Sequence, residues 1–249
     1  MGREIYPAMS GGMRALRSLE VLSNNLANVN TTGFKQDTPV FKLHSPEASE
    51  AYGKDNAASR LAAAWSSLDS EATDFTQGSL QTTGNAMDFA LNGDGFFAVQ
   101  NLDGEVFLSR DGSFQVDAEG FLASRAGHRV LGADSQPIKL PAGEPVVDDS
   151  GVVRVADKAV GTIGVFDVAD REGLVKMGGN LWTNPDGDPL LPAGGQVRQY
   201  HLEGSNVEPI RALTELIAVT RYYEAFKNTL NTSGELDRQL AAQVGKIDR

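Results

Sequence analysis

Apolar positions recur by alternating steps of three and four at both ends of the chain. Near the start, Ile5, Ala8, Gly12, Ala15, Leu19, Leu22, Leu26 and Val29 form one stripe. Near the end, Leu216, Val219, Tyr223, Phe226, Leu230, Ser233, Asp237, Leu240, Val244 and Ile247 form another. This spacing keeps every member on one helix face and is that of a coiled-coil seam. The first stripe predicts a helix over residues 3–30, about 42 Å long. Its first half is small (Ala8, Gly12, Ala15) and allows close helix approach, and Met9 and Leu16 widen it toward a second neighbour. Gly33 is suited to the left-handed residue that ends such a helix. The second stripe predicts a helix of about 60 Å starting at Pro209, with Ser205 or Asn206 as caps. Gly234 is its weak point. Ser233 and Asp237 place polar groups on the seam, which costs stability and fixes register.

Between the stripes the period changes. Short Phe-, Val- and Leu-rich runs alternate with the turn pairs Asn92-Gly93, Asp94-Gly95, Asp103-Gly104, Asp111-Gly112 and Glu119-Gly120. Residues 96–100, 105–109, 113–116 and 121–124 read as successive hairpin strands, with further strands at 152–155, 161–167 and 174–175. Pro185, Pro189 and Pro192 exclude a helix near them. Residues 35–75 read as a connecting extended or irregular segment. It has loops at Ser45-Pro46 and at 52–56, and a short helix or extended arm over 57–68. The chain therefore divides into an N-terminal helix (1–34), that connector (35–75), a central all-β domain (76–203) and a C-terminal helix (204–249). The fold class is α+β and multidomain: terminal helices paired as a coiled coil around a β meander, sandwich or open barrel.

Composition narrows the function. The 249 residues carry a net charge of −11, and no local basic patch offsets it. Phosphate backbones need a basic footprint, so nucleic acid is not an expected partner. No cysteine is present, which removes disulfides and thiolate metal sites. No apolar run approaches a membrane span, and Met1 to Leu22 lacks the apolar core and cleavage site of a signal peptide. His44, His128 and His201 lack ligand spacing, and no nucleophile elbow, phosphate loop or zinc-protease motif occurs. The Asp-Gly and Asn-Gly pairs lack the distal Glu of a calcium loop and read as tight turns. The expectation is no catalytic residue, no cofactor, no metal and no small-molecule substrate.

The most unusual string is Asn24-Asn25-Leu26-Ala27-Asn28-Val29-Asn30. Asn is a poor helix former because its amide competes for backbone groups, yet Leu26 and Val29 keep the stripe going. Either the helix frays here, or these amides hydrogen-bond across a subunit contact; the second is the preferred reading. Continued through Thr31-Thr32-Gly33-Phe34-Lys35, the string resembles the N-terminal signature of the flagellar rod and hook family of bacterial axial proteins. The run from Thr83 to Phe97, continued by Arg110-Asp111-Gly112-Ser113-Phe114, resembles the opening of that family's central domain. Leu202-Glu203-Gly204-Ser205-Asn206-Val207 resembles the lead-in to its C-terminal helix. Phe89 stands where a smaller residue is common in the family, and Thr220-Arg221-Tyr222-Tyr223 departs from its usual Gln-Arg-aromatic pattern.

The resemblance implies a structural subunit of the flagellar rod, of the proximal kind judging by Ile5-Tyr6-Pro7-Ala8 and the modest length. It implies export by the flagellar type III apparatus without a cleaved signal, a periplasmic place in the basal body, and other rod proteins and neighbouring basal-body components as partners. The residues expected at subunit contacts are Ile5, Leu19, Leu22, Asn24, Asn25, Leu26, Asn28, Val29, Leu216, Val219, Tyr223, Phe226 and Leu230. A distal-rod or hook-type subunit, or a secreted β-domain adhesin with helical anchors, are the alternatives. In a free subunit both helical ends are expected to be trimmed by protease, leaving a β core.

Overall fold

The structure, a computed structural model, describes residues 5–44, 65–185, 187 and 189–244. The chain forms two units. One holds residues 1–27, 37–72 and 208–249, and the other holds 28–36 and 73–207.

The first unit is mainly helical. Helix α1 spans Ile5–Ala27 and helix α2 spans Pro209–Val244. Strands β1 (Asp37–His44) and β2 (Trp65–Thr73) pair as a two-stranded sheet. α1 ends earlier than its stripe predicts. Asn28, Val29 and Asn30 lie in a turn, in which the Thr31 amide donates to the Asn28 carbonyl (3.1 Å) and the Thr31 hydroxyl to Asn28 Oδ1 (3.1 Å). Side-chain capture of nearby polar groups is what stops an Asn-rich helix. α2 starts at Pro209 as expected and runs through Gly234 unbroken. The expected loops at 45–46 and 52–56, and most of the expected helix or arm at 57–68, lie outside the described residues. Trp65 to Leu68 belong to a strand.

The second unit is β throughout. Its strands are β3 (Leu80–Thr82), β4 (Phe89–Asn92), β5 (Phe96–Gln100), β6 (Val106–Ser109), β7 (Phe114–Val116), β8 (Leu122–Ser124), β9 (Arg129–Val130), β10 (Pro145–Val147), β11 (Val152–Val155) and β12 (Lys158–Thr162). β13 (Val165–Asp167), β14 (Val175–Gly178), β15 (Leu181–Thr183), β16 (Leu191–Pro192), β17 (Gln196–Gln199) and β18 (His201–Glu203) complete it. The main sheet runs β14-β15-β6-β5-β9-β8-β7, with β13 also on β5. β10-β11-β12 form a separate antiparallel meander. The expected single strand at 161–167 is two strands. Backbone closes around Gly164, where a Cβ would strike the Phe166 ring and the Gly132 carbonyl.

Two cores hold the unit. One gathers Phe89, Leu91, Phe97, Val99, Phe114, Leu122 and Ile163. The other gathers Phe96, Leu108, Leu131, Phe166 and Trp182, with Phe75 packed against Phe96 and Trp182 at 5.4 and 5.8 Å between ring centres. Alternation along each strand sends these residues inward, and each large side chain adds about 1.5–3 kcal/mol on burial. The last strands return to the first: β17 pairs with β4 and β18 with β3, both antiparallel. The unit is thus closed by residues more than a hundred positions apart.

Candidate functional site

In the helical unit, α1 and α2 lie in contact. Gly12 leaves a notch filled by the Phe226 ring, so that a Cβ there would overlap Phe226 Cε1. At Gly11 a Cβ would meet the Tyr222 hydroxyl at 3.4 Å. The small first half of the N-terminal stripe thus admits aromatic rings. Ala15 is buried and Leu19, Leu22 and Leu26 are half-buried. On α2, Leu216, Val219, Tyr223 and Phe226 are half-buried while most of their neighbours are exposed. Leu230, nearer the free end, is exposed. Ile5 opens α1. Val29 is half-buried but sits past the helix, in the β unit.

The Asn string divides. Asn24 is exposed and Asn28 holds the turn after α1. Asn25 is buried, donating from Nδ2 to the Asp37 carbonyl (2.8 Å) and accepting at Oδ1 from the Asp37 amide (3.0 Å). Its amide imitates a β-ladder partner and fixes the start of β1 to α1. Within the subunit, Asn25 is buried and both ends of its amide are engaged by Asp37. Arg14 lies over the Phe41 ring at 4.7 Å, and Arg17 pairs with Glu20 and Glu71.

A second set of apolar side chains on the same helices faces outward. Ile210 is 82% exposed, Leu213 48% and Ile217 45%, spaced by three and four along α2. Met13 and Leu16 are exposed on α1 at 67% and 43%. Along a 3.6-residue turn, Ile210, Leu213 and Ile217 form a stripe separate from Leu216, Val219, Tyr223 and Phe226.

In the β unit, the strings that stood out in the sequence meet at one buried ionic group. Lys35, Arg110 and Glu203 are all fully buried or nearly so. Lys35 Nζ donates to Glu203 Oε1 (2.6 Å) and to the Thr76 carbonyl (2.6 Å). Arg110 donates from a terminal nitrogen to Glu203 Oε2 (3.2 Å) and stacks over Phe96. The Gly78 amide donates to Glu203 Oε1 (2.9 Å), and the Gly33 amide to the Glu203 carbonyl (2.8 Å). Gly33 is left-handed, with φ of 66°, and a Cβ would come within 2.5 Å of the backbone at Arg110 and Asp111. Burial pushes the Lys35 ammonium below its ordinary pKa, and Glu203 pulls it back up.

Asn206 adds a second staple. Its Oδ1 accepts from the Gln36 amide (2.8 Å) and its Nδ2 donates to the Asp74 carbonyl (2.8 Å). It therefore does not cap α2 as expected, because its side chain is committed to segments earlier in the chain. The Thr32 hydroxyl donates to Asp111 (2.9 Å), and Asn180 Nδ2 to the Thr32 carbonyl (2.6 Å). Periodicity could not reveal Lys35, Arg110 and Glu203 as buried partners. The signal was local: Lys35 and Glu203 are the single charges of their strings, and Arg110 has only Asp111 beside it.

Acid should weaken the β unit in a defined window. Arg171, with the Val168 amide, holds the Asp167 carboxyl below its ordinary 3.8. A depressed carboxylate contributes stability above its unfolded pKa and loses it as pH falls through the folded value. Asp167→Asn is expected to cost about 1 kcal/mol at neutral pH and to converge with the parent in acid. Urea midpoints across pH check this; a gap that persists in acid would exclude ionisation as its cause.

Among the described residues no cluster of His, Cys, Asp or Glu has the makings of a metal site. A shallow open depression lined by Asp148, Asp149, Ser150 and residues 193–196 encloses no buried polar group.

Three family models match the chain. Residues 5–35 match the flagella basal body rod protein model, 90–163 the D1 domain of flagellar hook protein FlgE/F/G, and 198–243 the C-terminal region of flagellar basal body rod FlgEFG proteins. The flagellar basal-body rod protein FlgF of Caulobacter vibrioides is 34% identical over 252 positions, covering 100% of both chains. FlgG of Agrobacterium fabrum is 32% identical over 257 positions, covering 94% of this chain and 96% of its own. FlgF of Mesorhizobium japonicum is 30% identical, covering 98% and 100%.

Proposed function

This chain belongs to the flagellar basal-body rod protein family, is most like FlgF within it, and is a structural subunit of the rod; from that premise we propose how it is built in. The terminal helices α1 and α2 pair as a coiled coil, with Phe226 seated at Gly12 as the register mark. Leu19, Leu22, Leu26, Leu216, Val219, Tyr223 and Phe226 form the seam within the subunit. Ile5, Asn24, Asn28, Val29 and Leu230 contribute to the contacts with neighbouring subunits.

The observation that carries the reading is the second apolar stripe. Ile210, Leu213 and Ile217 are exposed on a helix whose other face is already occupied. Exposed large apolar side chains in a row mark an interaction site. Neighbouring axial subunits cover them in the rod. Each buried Ile or Leu adds about 1.5–3 kcal/mol, repeated in every copy. The assembled shaft passes torque from motor to hook.

The subunit reaches the periplasmic part of the basal body through the flagellar export apparatus, with its N-terminal segment uncleaved. It occupies the proximal rod, makes its contacts with other rod proteins, and catalyses nothing. No helix among the described residues is long and apolar enough to cross a membrane, in keeping with a shaft component.

The test is the double variant Leu213→Asp/Ile217→Asp. Both sites are exposed in the free subunit, so its stability should stay within about 0.5 kcal/mol of the parent. Motility on soft agar should be lost, with rods missing from isolated basal bodies. Normal swarming would defeat the reading. Disulfide trapping from Met13→Cys in isolated basal bodies would identify the neighbour and hence the position along the rod.

A further inference from the structure

The Asn92-Gly93 pair sits at the exposed end of β4, where the chain turns into Asp94. Gly93 is left-handed, with φ of 102°, and a Cβ there would meet only Gly195 Cα, at 3.8 Å. Asn followed by Gly in an exposed turn is the pair best placed for self-modification, since glycine puts no side chain in the way of its own amide nitrogen. Here that nitrogen is occupied. The Gly93 amide donates to Gln77 Oε1 (3.1 Å), and Gln77 Nε2 donates to the Leu91 carbonyl (2.9 Å). One side-chain amide thus brackets Asn92 from both sides. β4 is also paired with β17, with Asn92 opposite Gln196, which keeps the backbone extended.

We propose that Asn92 is a latent deamidation site held closed by Gln77. In the reaction the Gly93 nitrogen, having lost its proton to solvent base, bonds to Asn92 Cγ. The Cγ–Nδ2 bond breaks and ammonia leaves, which gives a five-membered succinimide. Water then opens the ring at either carbonyl, to give aspartate or isoaspartate. Nothing is oxidised or reduced, and water is the only co-reactant. Ring closure requires the Gly93 nitrogen to turn toward the Asn92 side chain, out of the extended strand and off Gln77. The hydrogen bond and the ladder both oppose that turn.

The consequence reaches beyond one residue. Isoaspartate inserts an extra carbon into the main chain of β4, and both products place a new carboxylate beside Asp94. The β4–β17 register, Gln196 to Gln199 against Asn92 to Phe89, then carries a slip toward the strand that leads to Glu203.

The experiment ages purified full-length subunit at mildly alkaline pH and maps residue 92 by peptide mass spectrometry and isoaspartyl methyltransferase labelling. Gln77→Ala is expected to modify Asn92 several-fold faster than the parent. Gln77→Glu keeps an oxygen for the Gly93 amide but loses the donor to the Leu91 carbonyl, and is expected to fall between the parent and Gln77→Ala. Circular dichroism confirms that each variant is folded, and native-state hydrogen exchange at the Gly93 amide reports the guard directly in the parent. Equal rates in parent and Gln77→Ala, an amide at Gly93 that exchanges as freely as in a peptide, or Gln77→Glu matching Gln77→Ala would each overturn the proposal.

Discussion

Replacing Glu203 with alanine is expected to destabilise the β unit by about 3–5 kcal/mol, the cost of leaving buried cations uncompensated. Lys35 and Arg110 both reach Glu203 and neither reaches solvent. The Gly78 amide loses its acceptor at the same time, and an orphaned buried donor adds to the penalty. Glu203→Gln separates charge from shape. It keeps an oxygen for Gly78 but removes the negative charge, so it should recover only a small part of the loss. Apolar replacement of an entire buried ion group is often neutral. The triple variant Lys35→Met/Arg110→Met/Glu203→Leu should therefore be more stable than Glu203→Ala alone. Urea unfolding followed by Trp182 fluorescence reads all three. A loss under about 1 kcal/mol for Glu203→Ala would mean that water or another group compensates the cations.

Gly12→Val should separate the helices and abolish motility. A methyl at Gly12 already overlaps the Phe226 ring, and valine adds two further carbons on a branched Cβ. Overfilling a fitted contact costs about 1–3 kcal/mol, and here the cost falls on the contact that marks the register of the helix pair. Partial proteolysis should then cut α2 well before the β unit. Gly12→Val/Phe226→Ala empties the space that valine needs and should restore part of both the protection and the swarming. If Gly12→Val alone assembled normally, Phe226 would have a second position and the notch would not set register.

The helices were legible because a period of three and four is carried by many residues at once, and no single substitution hides it. Most strands between Phe96 and Ser124 were legible for a related reason: each is bounded by an Asp-Gly or Glu-Gly turn. β4, β9, β16 and β18 were not, being only two to four residues long and set by pairing with distant partners. Asn25 shows what an Asn-rich string leaves out: nothing local to it names Asp37, whose amide and carbonyl its side chain engages within the subunit. Gly112 shows the same limit. It reads as a turn glycine, yet its φ is not left-handed, and what excludes a side chain is the Phe89 carbonyl lying where Cβ would be. The ionic group was the least legible feature, because its three members are separated by 75 and by 93 positions or more.

The chain passes four times between its two units, after residues 27, 36, 72 and 207. Lys35 and Gln36 stand just before the second passage, Asp74 and Thr76 just after the third, and Glu203 and Asn206 just before the fourth. A pull on either lead-in therefore meets the Glu203 and Asn206 bonds before it meets any ladder of the main sheet. These bonds join several segments at one point and must break together, whereas an antiparallel ladder pulled from its end opens one rung at a time. In a part that rotates under load, that is the difference between a rivet and a zip.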